Sequence, residues 1–74
     1  METYVDIYFN TDGEKASIVE QKLKDLGFKT NIGDHDFVYD WGKIVDSDEV
    51  IRFIEKIQLY LKNTGIILKF TTIR

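Results

Sequence analysis

The order of hydrophobic patterns in this 74-residue chain predicts an α+β domain: a four-stranded antiparallel sheet with two helices on one face. Three observations carry that expectation. Apolar–polar alternation with a period of two occurs at the start, middle and end of the chain. Between these stretches lie two segments whose apolar residues recur at spacings of three and four, and single glycines punctuate the joins. The resulting order is β-α-β-β-α-β over residues 1–74, with no linker, repeat or low-complexity segment dividing it.

Thr3 to Asn10 alternate, with Val5, Ile7 and Phe9 on one side and Tyr4, Asp6, Tyr8 and Asn10 on the other, the pattern of a half-buried strand. Thr11-Asp12-Gly13-Glu14 has the spacing of a capping box and predicts a helix start there. Ala16, Val19, Leu23 and Leu26 form the helix's apolar stripe, Gly27 ends it, and Phe28 covers its last turn. Phe28, Thr30 and Ile32 alternate with Lys29 and Asn31, and Phe37, Tyr39 and Trp41 with Val38 and Asp40. The intervening Gly33-Asp34-His35-Asp36 reads as a hairpin turn. One long bent strand with Gly33 at a bulge is the competing reading.

Asp46 with Glu49 is again box-like, and Ser47 is an alternative cap one position later. Val50, Phe53, Ile54, Ile57 and Leu61 make the strongest helical stripe, opposite Arg52, Glu55, Lys56 and Gln58. Lys62 is expected in the last turn, with Gly65 as terminator. In the final strand, Ile66 to Arg74, Ile66, Leu68, Phe70 and Thr72 fall on one face and Ile67, Lys69, Thr71 and Ile73 on the other.

Composition narrows the function classes. The chain has no cysteine, so disulfides and thiolate metal sites are excluded, and stability must come from packing. With 43% hydrophobic and 14% aromatic residues, it has the material for a core. No apolar run exceeds three residues, far short of a membrane span, and no basic-then-apolar leader opens the sequence, which favours the cytoplasm. A net charge of −3 with scattered bases disfavours nucleic acid as a general partner.

Two helices with single apolar stripes against such strands resemble the ferredoxin-like superfold over essentially the whole chain, by topology alone. That resemblance implies central first and third strands and an inner face of Val5, Ile7, Phe9, Ile32, Phe37, Tyr39, Trp41, Leu68 and Phe70. It does not imply an activity, because the superfold hosts unrelated ones. The Cys-x-x-Cys loop of heavy-metal carriers is missing, as is the loop arginine of acylphosphatases. The third strand, Asp36-Phe37-Val38-Tyr39-Asp40-Trp41, is acidic where RNA-recognition modules are basic.

The helix-free face of the sheet is the best candidate surface. Tyr4, Tyr8, Val38, Ile67 and Ile73 are expected there, mixed with Asp6, Asp40 and Lys69. So much apolar area on a small domain suits a protein partner or a second copy of the chain; the plainer reading is a half-wet sheet held by cross-strand pairs. Stacking of single-stranded RNA bases on Tyr4 and Tyr8 is an alternative that Asp6 and Asp40 oppose. Lys69 is expected to pair with Asp6 across the ladder.

Asp34 and Asp36 offer oxygen ligands at alternate positions and form a second alternative, a Ca²⁺ or Mg²⁺ site. The positions that an EF-hand requires beyond them are wrong, and turn residues are the simpler account. Asp46, Asp48 and Glu49 suit a helix start without any ion. One histidine and no glycine-rich elbow or phosphate loop leave catalysis without a constellation, so a non-enzymatic module with no cofactor is expected.

Overall fold

The structure, a computed structural model, describes residues 1–74. Its elements are β1 (Glu2–Tyr8), α1 (Ala16–Asp25), β2 (Lys29–Thr30), β3 (Phe37–Asp40), α2 (Ser47–Tyr60) and β4 (Ile67–Ile73). The strands form one antiparallel sheet in the order β2-β3-β1-β4, which is the ferredoxin-like arrangement with β1 and β3 central. Residues 28–41 make a hairpin, with Lys29 opposite Val38 and Thr30 opposite Phe37, so the single bent strand is ruled out.

Alternation along β1 decides which face is covered. Thr3 and Val5 are fully buried, and their ladder partners Tyr39 and Phe37 on β3 and Thr72 and Phe70 on β4 share that side. Val19 and Leu23 of α1 and Ile57 of α2, with Leu61 just beyond it, join Val5, Phe28 and Phe37 in one buried cluster. Both helices therefore pack on the same face. Lys22 places its ammonium 4.9 Å over the Tyr60 ring and ties α1 to α2 at the surface.

One end of the core is aromatic. Phe53 of α2 lies 4.5 Å from Tyr39, 5.1 Å from Trp41 and 5.7 Å from Phe28, centroid to centroid. The Trp41 indole N–H donates to Thr3 Oγ1 at 2.9 Å, and Thr3 Oγ1 lies 3.0 Å from Thr72 Oγ1. This chain of bonds satisfies polar atoms that would otherwise be costly under the helices.

Several boundaries differ from those the sequence predicts. α1 begins at Ala16 after Lys15, which provides no side-chain cap. The box at Thr11 does not form because its backbone is used elsewhere: Gly13 N–H donates to Asn10 C=O and Glu14 N–H donates to Thr64 C=O at 2.8 Å. A Cβ on Gly13 would sit 2.7 Å from that Thr64 oxygen, so this loop passes against the α2–β4 loop through glycine alone.

Phe9 is 53% exposed and Ile32 101% exposed, so neither belongs to the inner face. Both lie beyond the paired strands: Phe9 sits at the rim of a cleft it shares with Ala16, Ser17 and Glu20 of α1, and Ile32 lies in the open β2–β3 loop. α2 stops at Tyr60, and the chain turns at Asn63, whose φ is 67°, before Gly65; Lys62 is outside the helix. Thr64 locks the turn by donating its hydroxyl to Leu61 C=O.

Candidate functional site

The helix-free face is built from the even-numbered residues of β1 and β3 and the odd-numbered residues of β4. The register sets Tyr4 between Val38 and Thr71, Asp6 beside Lys69, and Tyr8 beside Ile67, with Ile73 next to Glu2. All five expected contact residues therefore lie on one side. They are not equally available. Tyr8, Ile67 and Ile73 are exposed, while Tyr4 and Val38 are half-buried.

The cause is the β2–β3 loop, which folds back onto this face. His35 stacks on Tyr4 with ring centroids 4.8 Å apart, and its Nδ1 lies 3.0 Å from Asp6 Oδ2. A carboxylate accepts, so Nδ1 is the donor. Asp36 bonds twice to β1: its carboxylate accepts from Ile7 N–H at 2.9 Å, and its own N–H donates to Val5 C=O at 3.1 Å. The loop is a clamp on β1 that covers Tyr4 and Asp6 on the open face.

Asp6 is therefore paired with His35 rather than with Lys69. The Asp6–Lys69 register is as expected, yet no ion pair joins them. Asp34 is exposed, and the Asp36 carboxylate is occupied by backbone; nowhere does the chain gather three His, Asp or Glu side chains around a common point. Asp46 is the α2 cap, accepting from Glu49 N–H at 2.8 Å, and Ser47 Oγ accepts from Arg74 at 3.0 Å. These candidate chemical groups, Asp34 aside, are engaged in holding the fold.

What remains open is the β1/β4 half of the face. Tyr8 is 58% exposed and Ile67 68% exposed, side by side across the ladder, and Ile73 extends the apolar strip toward the other end of β4. This strip borders the outer edge of β4, against which no strand lies. The roofing by His35 was not legible in the sequence, because the cue, a lone His in a turn, is shared by countless solvent-exposed loops.

Fold and site together define a ferredoxin-like α+β domain with one helix-free sheet face, part of it covered by a loop. Comparison with protein-family models, curated proteins and solved structures returns no match. No helix is long and apolar enough to cross a membrane.

Proposed function

We propose that this domain is a non-enzymatic interaction module and that it associates with a second copy of itself through the β1/β4 side of its sheet. The observation that carries this reading is the exposed strip of Tyr8, Ile67 and Ile73 beside an unpaired strand edge. Apolar side chains at a sheet edge cost solubility unless something covers them. The engagement of Asp6, His35, Asp36, Asp46 and Ser47 in structural bonds supports a binding role over a catalytic one.

Sedimentation velocity across a concentration series tests the proposal. A monomer–dimer equilibrium is expected, weakened about tenfold or more by Ile67→Glu, which buries a charge in the contact. A protein that stays monomeric to millimolar concentration overturns it. So does a dimer indifferent to Ile67→Glu.

A further inference from the structure

The backbone of β4 indicates how two copies meet. Along β1 and the residue before it, Trp41 N–H donates to Met1 C=O, Asp36 N–H donates to Val5 C=O, and Ile7 N–H donates to Asp36. Odd-numbered residues of that stretch thus aim their backbone at the β3 side. By the alternation of an antiparallel ladder, Glu2, Tyr4, Asp6 and Tyr8 aim theirs at β4. Their partners Ile73, Thr71, Lys69 and Ile67 therefore point their N–H and C=O groups inward. Leu68, Phe70 and Thr72 point theirs outward, along an edge with no neighbour.

The two edges of the sheet are treated differently. β2 is cut to two residues, a common way to blunt an edge. β4 has seven, with no proline and a single charge, Lys69, on the helix-free face. The core is also unfinished there. Leu68 and Phe70 are only half-buried, and clefts of about 230 and 240 Å³ run between β4 and α2 on either side of Phe70.

We infer that β4 pairs antiparallel with β4 of a second copy about a two-fold axis at Phe70, joining the sheets into one of eight strands. This rests on the self-association proposed above and specifies its geometry. The segment Ile67-Leu68-Lys69-Phe70-Thr71-Thr72-Ile73 is self-complementary in that register. Phe70 meets its own counterpart, and Leu68 meets Thr72, so every outward-pointing backbone group finds a partner. On the helix-free face Ile67 meets Ile73 and Lys69 meets Thr71. A shift of two residues one way sets Lys69 against Lys69 and strands Thr72; the opposite shift strands Leu68. Only the Phe70-centred register avoids both faults.

Amide hydrogen exchange at low and high protein concentration, with the charge-reversal pair I67E and I73K, tests the geometry. Lys69 and Thr71 amides are protected by β1 at every concentration. Protection of Leu68, Phe70 and Thr72 should rise about tenfold or more as the dimer fills. Ile67→Glu should weaken association, and I67E/I73K should restore it, because each introduced carboxylate then faces an introduced ammonium across the axis. Ile67 and Ile73 are exposed, and near-ultraviolet circular dichroism verifies that the variants stay folded. Tyr8 flanks Ile67 but makes no pair across the axis, so edge pairing loses less from Tyr8→Glu than from Ile67→Glu, whereas face-to-face packing loses as much from either. A dimer that is weakened as much by Tyr8→Glu as by Ile67→Glu, is not restored by I67E/I73K, and leaves the three edge amides unprotected packs face to face. That outcome overturns the edge pairing and keeps the module. A monomer at all concentrations overturns both, leaving the edge open to a different strand.

Discussion

Gly27 concentrates several constraints in one residue. It closes α1 at φ 102°, its N–H donates to Lys24 C=O, and the next residue, Phe28, donates to Leu23 C=O. That double bond pattern is a Schellman ending, completed by Phe28 packing on Leu23 in the core. A Cβ at Gly27 would also come within 2.9 Å of Tyr39 Cε1. Gly27→Ala should therefore cost about 1–3 kcal/mol in urea denaturation, from backbone strain plus displacement of the Tyr39 ring. An unchanged midpoint would mean that the ring yields without loss. The left-handed turn was legible at Gly27 because glycine followed by an apolar residue is its usual signature. After the other helix Gly65 is left-handed as its residue type implies, at φ 72°, but α2 has already ended at Tyr60 and the first left-handed residue is Asn63, whose type signals that conformation more weakly.

At the scale of elements, the two helix starts show what capping patterns can and cannot reveal. Asp46 caps α2 as its spacing to Glu49 implies: its extended backbone, φ −79° and ψ 168°, lets its carboxylate accept from Glu49 N–H. Asp46→Ala should cost about 1 kcal/mol, with thermal unfolding as the measurement. The same kind of pattern at Thr11 fails because Glu14 N–H has a better-placed acceptor, the Thr64 carbonyl, about fifty positions away. Local spacing holds no information about such a partner. The strands follow the same logic. Alternation located β1, β3 and β4 to within about two residues at each end. It overextended β2, where Ile32 continues the pattern but lies beyond the last ladder pair, Thr30 with Phe37.

For the whole molecule, the core is small enough that single losses should be decisive. Only 11 of 74 residues are buried, which leaves little redundancy among Val5, Val19, Leu23 and Ile57. Domains of this length hold roughly 5–10 kcal/mol of net stability. Ile57→Ala, at a fully buried site joining α2 to the sheet, should remove about 2–5 kcal/mol of it, read from the urea midpoint. A loss of less than about 1 kcal/mol would mean that α2 contributes less to the core than its burial indicates. Legibility at this scale was uneven in an instructive way. The topology follows from pattern order and handedness rules, so it was accessible. The asymmetry of the helix-free face was not, because it depends on one loop turning back to place His35 over Tyr4 and Asp6.

The ladder between β1 and β4 spans nearly the full chain, from Glu2 against Ile73 to Tyr8 against Ile67. A central strand must therefore wait for the most distant element before its second flank is satisfied. Until β4 arrives, β1 offers an unguarded flank to any extended segment nearby, and closing a loop of that length carries an entropic penalty that slows its capture. Crowded conditions during synthesis would thus favour exchange of the last strand between neighbouring copies, leaving intertwined species in place of separate ones.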